Sequence, residues 1–327
     1  MNAWIITDGK VGTEKQCVAL AEALGLDFSI KQIKARFPWT HLPPALWMNP
    51  LSALTPDSQT VLMGEPWPSV IIAASRVAAA PVAYIKKILG AKIKVIFLQN
   101  PYLDVAKYDL VIAPKHDKLT GKNVIETVGA LHNVTPARLD KEKEEWANIL
   151  PKNLPRPWVS VLLGGNSRHH IMDPDTMDYY GSRLRHMAQR TEMSFLVTPS
   201  RRTPREGLNA FRRALGDTHH FIWNELGDNP YYGFLALGDI ILVTNDSVSM
   251  LSEAASMGKP VYSLALQGGR RRLNLFNAYL EDADIVRPFN GFFDEWHPKA
   301  VDDMATVVKA VRKKMKMKVI KLQTMQI

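Results

Sequence analysis

The chain has 327 residues, of which 46% are hydrophobic and 22% are charged. This length fits two domains of about 150 residues better than a single core, and the composition excludes a largely disordered protein. The one cysteine, Cys17, excludes an internal disulfide framework and is expected to be a core residue in a reducing compartment.

The formal net charge of +9 is concentrated near the C-terminus. Residues 309–327 carry seven lysines and arginines and no acidic residue, which leaves +2 for residues 1–308. No basic face interleaved with aromatic residues occurs, so we expect no nucleic-acid partner. The first apolar run, residues 3–6, is too short for a signal peptide, and no run of about 20 apolar residues follows. The sequence therefore predicts a cytoplasmic protein without a spanning helix.

Short β-branched or apolar runs alternate with helical patterns along the chain, which is typical of parallel, doubly wound sheets. Strands are predicted at residues 3–7, 28–33, 70–74, 94–98, 110–113 and 124–128, and then at 158–163, 195–198, 220–223, 240–243 and 261–264. Helices are predicted at residues 14–24, 77–89, 176–191, 205–215, 231–237, 247–257 and 272–281. The fold class that we expect is α/β, with two Rossmann-like domains.

Three prolines within residues 150–157 interrupt this pattern and are typical of an interdomain linker. We therefore predict an N-terminal domain over residues 1–150, a C-terminal domain over 151–297, and a helix with a basic tail over 298–327. In doubly wound sheets, ligands lie beyond the carboxyl ends of the strands. The loops that follow strands are therefore the places to search for a site.

The loop after the predicted strand 240–243 carries the strongest functional signal. It opens a helix whose free N-terminal amides and positive dipole end suit a diphosphate. Glu253, about two turns into that helix, is placed to bind a ribose diol. A capped amphipathic helix that ends at Gly258 explains the cap but not the polar cluster. The candidate ligand-binding residues here are Asn245, Asp246, Ser247, Ser249, Met250 and Glu253.

Two further loops contain residue types that bind phosphate. Paired glycines allow a close approach of the backbone to a phosphate, and guanidinium groups match its oxygens. Alternatively, the glycines only turn the chain and Thr203 caps the next helix. The candidates are Gly164, Gly165 and Asn166 after the strand 158–163, and Ser200, Arg201, Arg202 and Thr203 after the strand 195–198.

Candidate catalytic residues lie in the N-terminal half. Asp8 follows the first strand beside two glycines and could act as a base, although a turn with Thr13 as a helix cap explains it equally well. His116 and Asp117 follow the strand 110–113 and form a candidate acid/base pair.

Motifs for metals and for other nucleotide cofactors are absent from the sequence. There is no HExxH, no Cys/His cage, no GxGxxG and no GxxxxGK[ST]. Asp173-Pro174-Asp175 imitates the DxD of metal-dependent transferases, but an aspartate cap followed by proline in a first helical turn explains it better. We therefore expect no metal and no cofactor.

The basic tail has two interpretations. Apolar residues spaced 3, 4, 4 and 3 apart form one stripe among the lysines, at Val308, Val311, Met315, Val319 and Leu322. Such a helix can lie on an anionic membrane, which would make residues 309–327 a peripheral anchor on the inner membrane face. It can equally dock on the N-terminal domain and fray into a solvated end.

The segments that carry these candidates occur together in known proteins. The region 229–262 combines a tyrosine-rich helix, an Asp-Ser loop, Glu253 and GKPV. It resembles the donor-binding region of GT-B glycosyltransferases such as the peptidoglycan enzyme that adds N-acetylglucosamine to lipid I. Over residues 3–297 the chain resembles the ELM-type mitochondrial fission family and its bacterial relatives, through WIITDGKVGTEKQ, PKHDKLTGKNVIETVGALH, LLGGNS, SRRTP, NPY and TNDSVSMLSEA.

This resemblance implies a GT-B-like fold with a cleft between the two domains and a C-terminal helix. In GT-B enzymes the glutamate that matches Glu253 holds the nucleotide ribose, and the loop before it meets the diphosphate. Together with the residues above, it leads us to expect a glycosyltransferase that uses a nucleotide diphosphate sugar, such as a UDP-sugar, on a lipid-linked or envelope acceptor. Two alternatives stay open: a non-enzymatic scaffold of the same shape, and a nucleotide-sugar epimerase.

Overall fold

The computed structural model describes residues 2–64 and 66–315. The chain divides into two compact units, and each contains a six-stranded parallel sheet flanked by helices. Unit 1 comprises the chain up to Asn133 together with the segment that starts at Asp302, and unit 2 is Val134–Val301. The prediction of an α/β fold with two Rossmann-like units is confirmed.

The sheet of unit 1 has the strand order β2-β1-β3-β4-β5-β6. Its strands are β1 (Asn2–Thr7), β2 (Asp27–Gln32), β3 (Val70–Ala74), β4 (Lys94–Leu98), β5 (Leu110–Pro114) and β6 (Val124–Thr127). Between them lie the helices α1 (Val11–Leu24), α2 (Pro56–Met63) and α3 (Arg76–Leu89).

Two hydrophobic cores cover the two faces of this sheet. Ala3 and Ile5 of β1 belong to one core, and Trp4 and Ile6 belong to the other. Because successive side chains of a strand point to opposite faces, a strand covered on both sides is apolar throughout. For this reason the continuous apolar runs predicted the ends of the central strands to within one residue of their observed bounds.

The sheet of unit 2 has the order β10-β9-β7-β11-β12-β14. Unit 2 contains, in chain order, α4 (Pro136–Ile149), β7 (Trp158–Leu163), β8 (His170–Ile171), α5 (Pro174–Ala188), β9 (Ser194–Pro199), α6 (Arg205–Leu215), β10 (His220–Ile222), α7 (Tyr231–Leu237), β11 (Ile240–Thr244), α8 (Val248–Ala255), β12 (Val261–Leu264), β13 (Gln267–Gly268), α9 (Arg271–Asp282) and β14 (Arg287–Pro288). The short strands β8 and β13 form a separate antiparallel pair.

The boundary between the units differs from the predicted linker at residues 150–157. Helix α4, which we assigned to the N-terminal domain, packs on α7 of unit 2. Trp146 of α4 lies so close to Gly233 that a Cβ on the glycine would come within 2.3 Å of the indole. The Trp146 ring also packs edge-on against Phe234, with centroids 5.7 Å apart. The proline-rich segment therefore connects two elements of the same unit.

The last described helix, α10 (Asp303–Met315), returns to unit 1 and packs on α1. Val307 and Val311 are fully buried in the core that contains Cys17 and Leu20. The described part of the predicted membrane stripe is thus a docked helix, and residues 316–327 lie outside the described residues. No helix in the described ranges is long and apolar enough to cross a membrane.

Candidate functional site

Four neighbouring strands of unit 2, β9, β7, β11 and β12, end at the same edge of their sheet. We call the segments that follow them the edge loops: residues 164–172 after β7, 200–205 after β9, 245–252 after β11 and 265–275 after β12. Parallel strands lie about 4.8 Å apart, so these loops are neighbours in space. All predicted phosphate-binding residues lie on three of the four.

Gly164 and Gly165 lie where these loops touch. A Cβ on Gly164 would come within 2.2 Å of the Asp246 carboxylate. A Cβ on Gly165 would come within 2.1 Å of the carbonyl oxygen of Arg202, and its φ of +147° is one that other residues rarely adopt. Close packing of the loops therefore requires both glycines, whether or not a phosphate binds.

The amides of the glycine loop already have acceptors within the protein. The N–H groups of residues 164–167 donate in turn to Thr244 Oγ1, Asp246 Oδ2, the carbonyl of Arg202 and the carbonyl of His170, at 2.7, 3.2, 2.9 and 3.0 Å. The Asn166 side chain accepts the Met172 N–H at 2.8 Å. A phosphate at this edge would consequently meet side chains or the amides of α8 instead.

Ser200 and Thr203 tie the second loop to the first. Their hydroxyls donate to the Gly164 carbonyl at 2.6 and 2.5 Å. The alternative interpretation, in which Thr203 caps α6, is wrong: α6 has no side-chain cap, and the Thr203 hydroxyl instead accepts the Ser200 N–H at 2.8 Å. The hydroxyl is thus used for contacts between loops.

Asp246 and Arg202 form an ion pair at the centre of the edge loops. Arg202 Nη1 lies 2.7 Å from Asp246 Oδ2, and the carboxylate side chain is fully buried while the arginine side chain is 40% exposed. The other oxygen, Asp246 Oδ1, is buried without a hydrogen-bond partner in the described chain. Arg201 is exposed and makes no ion pair with any described residue. The two adjacent arginines therefore differ in role: Arg202 is an internal partner and Arg201 is available to solutes.

The third loop holds the N-terminus of α8. Ser247 is its cap, because its hydroxyl accepts the Met250 N–H at 3.4 Å. Asn245 serves the neighbouring loop: its side-chain oxygen accepts the Leu266 N–H at 3.0 Å. Ser249 and Met250 are half-buried in the first turn of the helix. The first-turn amides of a helix have no acceptor within the helix, so this end can bind an anion.

Glu253 is tied to the tyrosine-rich helix α7. The Tyr231 hydroxyl donates to Glu253 Oε2 at 2.5 Å. Burial and the nearby Glu253 charge raise the pKa of Tyr231 well above its usual value, so the phenol keeps its proton and stays a hydrogen-bond donor. The glutamate is therefore held in one orientation rather than free on a helix surface.

Sequence reasoning missed one part of this edge, the arginines at residues 270–272. Strand β13 pairs with β8, and the Gly269 N–H donates to the carbonyl of His169 at 2.7 Å. These contacts bring the fourth edge loop to the glycine loop. Three arginines directly after Gly268-Gly269 in a loop that follows a strand were the signal, of the same kind as the pair at residues 201–202.

Taken together, the edge loops are strongly basic. Their only acidic residue is Asp246, which is already paired with Arg202. The seven arginines of the loops are Arg168, Arg201, Arg202, Arg205, Arg270, Arg271 and Arg272. A surface with this charge attracts polyanions such as a diphosphate.

In unit 1, Asp8 follows β1. Its side chain is 10% exposed, Oδ2 lies 2.5 Å from Lys10 Nζ, and Oδ1 is buried without a hydrogen-bond partner in the described chain. The alternative interpretation, in which Thr13 caps the next helix, is wrong, because α1 begins at Val11 and has no side-chain cap. Asp8 is a nearly buried carboxylate beside a cation.

His116 and Asp117 follow β5, in a 3₁₀ turn. His116 Nε2 lies 3.7 Å from Asp117 Oδ1, which is beyond hydrogen-bond distance, and both side chains are nearly buried. Two strands, β3 and β4, separate β5 from β1 in the sheet. The three candidate catalytic residues therefore lie about 14 Å apart by strand spacing, in two places rather than one.

The aspartate pattern at residues 173–175 is a helix cap. Asp173 accepts the Thr176 N–H at 2.8 Å and the Thr176 hydroxyl at 2.7 Å, and these bonds lower the pKa of the carboxyl. Within the described ranges no three His, Cys, Asp or Glu side chains gather in a way that could hold a metal ion.

Comparisons with known proteins show the family to which this chain belongs. The model of a family described as mitochondrial fission ELM1 matches residues 11–315. The mitochondrial fission protein ELM1 of Arabidopsis thaliana is 29% identical over 275 residues, which is 76% of this chain and 64% of that protein. The match thus covers less than two thirds of the plant protein. An uncharacterized protein of Rickettsia prowazekii is 27% identical over 95% of this chain and 98% of its own length.

Solved structures show the same fold at low sequence identity. A UDP-GlcNAc 2-epimerase from Methanocaldococcus jannaschii matches with a TM-score of 0.58 at 13% identity, over 97% of this chain and 100% of the other. MurG from Acinetobacter baumannii gives 0.56 at 11%, over 95% and 99%. A UDP-GlcNAc 2-epimerase from Neisseria meningitidis, bound to UDP-GlcNAc, gives 0.51 at 13%, over 97% and 100%.

Proposed function

This chain belongs to the mitochondrial fission ELM1 family and has a GT-B-like fold, and from this premise we propose that it is a glycosyltransferase whose unit 2 binds a nucleotide diphosphate sugar at the edge loops. The acceptor class that we propose is lipid-linked or part of the cell envelope.

The observation that carries this proposal is the charge of the edge loops. The edge loops contain seven arginines and one carboxylate, Asp246, which is buried and paired with Arg202. When a sugar leaves a nucleotide diphosphate, negative charge develops on the diphosphate oxygen. Arginines near that oxygen stabilise the charge, as a metal ion does in other transferases. We therefore expect donor binding to need no divalent metal.

The remaining edge residues have roles that follow from their positions. The first-turn amides of α8 that the Ser247 cap does not accept would donate to a phosphate, because they have no acceptor within the helix. Glu253, oriented by Tyr231, would accept the hydroxyls of the ribose. The glycine loop would act as a support that fixes the positions of Arg202 and Asp246.

Transfer needs a base for the acceptor hydroxyl, and unit 1 offers Asp8 and the pair His116 and Asp117. The acceptor oxygen attacks the anomeric carbon, its proton passes to the base, and the bond from that carbon to the diphosphate oxygen breaks. Asp8 is a candidate because one of its buried oxygens has no hydrogen-bond partner in the described chain.

A nucleotide-sugar epimerase is the second candidate. The likeness to two UDP-GlcNAc 2-epimerases, with TM-scores of 0.58 and 0.51, is a likeness of fold and favours neither reaction. An epimerase would use the same donor site and change the sugar without any acceptor. The third alternative, a scaffold without activity, would have no need of donor binding.

The test is a thermal-shift screen of the full chain against nucleotides and nucleotide sugars, with UDP-GlcNAc and UDP first and with EDTA in every arm. A ligand at 100 times its Kd adds about 2.7 kcal/mol to the free energy of unfolding. We expect a nucleoside diphosphate to raise the melting temperature in EDTA, and charge reversal at Arg201 to reduce the rise.

The ligand found in this way is then incubated with the protein, with and without lipid extract. Release of nucleotide that requires the extract supports transfer, whereas a changed sugar without extract identifies an epimerase. If no common nucleotide shifts the melting temperature at millimolar concentration, the donor site does not exist and the scaffold interpretation replaces it.

A further inference from the structure

A groove of about 560 Å³ opens on the surface of unit 1. It lies between three segments: the 3₁₀ turn Pro44–Leu46 with the residues that follow it, helix α3, and the 3₁₀ turn Val105–Lys107. Its apolar lining includes Met48, Ala83 and Leu103. None of these residues belongs to the candidate sites described above.

The segment on one side of the groove holds apolar side chains out to solvent. Met48 is 93% exposed and Leu46 is 58% exposed, whereas Trp47 between them is 6% exposed. The Trp47 indole donates to the Leu42 carbonyl at 3.2 Å and packs edge-on against Trp39. Because Trp47 anchors the turn, its two neighbours are presented outward. A single exposed methionine is ordinary, but apolar side chains beside an apolar groove indicate a contact surface.

The rim of the groove is positively charged. Lys87 and Lys107 line it and are exposed. Lys86 also lines it but is engaged by Asp109, 2.7 Å away. The nearest acidic residue in sequence, Asp104, caps the turn by accepting the Ala106 N–H.

The sequence around the groove has the same charge. Residues 28–56 and 66–103, which supply the 3₁₀ turn at residue 44 and helix α3, contain eight lysines and arginines and no aspartate or glutamate. A predominantly basic face around exposed apolar side chains matches a negative surface with an apolar interior.

We propose that this groove and its rim dock unit 1 on a lipid bilayer that contains anionic phospholipid. Leu46 and Met48 enter the boundary between headgroups and acyl chains, and Lys87 and Lys107 bind the phosphates. The described part of the basic tail cannot supply these contacts, since Val307 and Val311 are buried in the core of unit 1. The proposal is independent of the donor site in unit 2.

The test is co-sedimentation of the full chain with vesicles of phosphatidylcholine alone or mixed with phosphatidylglycerol, at about 0.15 M salt, where screening limits attraction to about 8 Å. We expect binding to the mixed vesicles only. Met48→Glu should abolish it, and Lys87→Ala and Lys107→Ala should each weaken it about fivefold. The control is Leu226→Glu, an equally radical change at a residue of unit 2 that is 74% exposed.

Met48→Glu is expected to fold normally, and its melting temperature and nucleotide-induced shift should equal those of the wild type. Equal sedimentation of the wild type and Met48→Glu would overturn the proposal and leave the tail as the anchor. Equal binding to both kinds of vesicle would also overturn it. A dimer that is seen in light scattering and that Met48→Glu dissociates would mean that a second copy occupies the groove. That result would also overturn the proposal.

Discussion

The carboxyl edges of the two sheets are organised differently. In unit 2 the candidate residues follow neighbouring strands, and their loops are joined by hydrogen bonds such as Ser200 Oγ to the Gly164 carbonyl at 2.6 Å. In unit 1 the candidates follow β1 and β5, with two strands between them. Unit 2 thus has one rigid, basic edge suited to a charged ligand, whereas unit 1 has separate carboxylates. This difference supports the proposal that the donor binds at the edge loops of unit 2.

The largest expected effect is at the contact between the glycine loop and the arginine loop. Gly165→Ala would place a Cβ 2.1 Å from a backbone oxygen at a φ of +147°. Overpacking and backbone strain together should lower the free energy of unfolding by about 3 kcal/mol, measured by urea denaturation.

The matched control is Gly12→Ala in unit 1, where a Cβ has no neighbour within 4 Å. That variant should be unchanged or slightly more stable, since alanine favours helices more than glycine. If Gly165→Ala is as stable as Gly12→Ala, the loops of unit 2 are not locked together and the comparison between the edges fails.

The next largest effect distinguishes the two adjacent arginines, Arg201 and Arg202. Arg202→Ala leaves Asp246 as a buried carboxylate without its cation and should cost about 2 kcal/mol of stability, less than a fully buried pair because Arg202 is 40% exposed. Arg201→Ala should change stability by less than about 0.5 kcal/mol. Both should weaken nucleotide binding by calorimetry, if the donor site is where we propose. Equal unfolding of the two variants would mean that the Asp246 pair does not hold the edge together.

Much of the fold could be predicted from local patterns. Strands β3, β4, β7 and β12 were predicted at their observed bounds, because buried parallel strands are apolar throughout. The sequence also predicted that a site would lie in the loops that follow strands, and the observed strand order brings Gly164, Ser200 and Asp246 together.

What could not be predicted depends on contacts between distant residues. Trp146 packs against Gly233, and this contact helps to place α4 in unit 2. No local pattern in either segment predicts the contact. Thr203 has the position of a helix cap, but its hydroxyl donates to a carbonyl 39 residues earlier in the chain. The amides of the glycine loop likewise donate to acceptors on other loops and strands, and this changes which groups would meet a phosphate.

The smallest expected effect concerns the carboxyl group of Asp303, which binds the segment that follows β6 in unit 1. Asp303 of α10 accepts the N–H groups of Val128 and Gly129, which follow β6, at 2.9 and 2.8 Å. Burial raises the pKa of this carboxyl above its ordinary value of 3.8, although the two amides and Lys115 act in the opposite direction. The native state therefore binds this proton more tightly than the unfolded chain does. Stability from this group is present below about pH 3.8 and declines as the pH rises above it.

We therefore expect Asp303→Asn to cost about 1 kcal/mol, because an amide retains only one of the two acceptor oxygens. The deficit relative to the wild type should be largest near pH 4 and should shrink towards pH 7, since the variant does not titrate at this position. Urea denaturation of both proteins over that range measures the difference, and all other titrating groups cancel in it. A deficit that grows with pH would mean that the hydrogen bonds from the two amides lower the pKa of Asp303 more than burial raises it. Asp303 would then be an ionised anchor whose pKa is lowered, and the edge of unit 1 would be held by charge, as Asp246 and Arg202 hold that of unit 2.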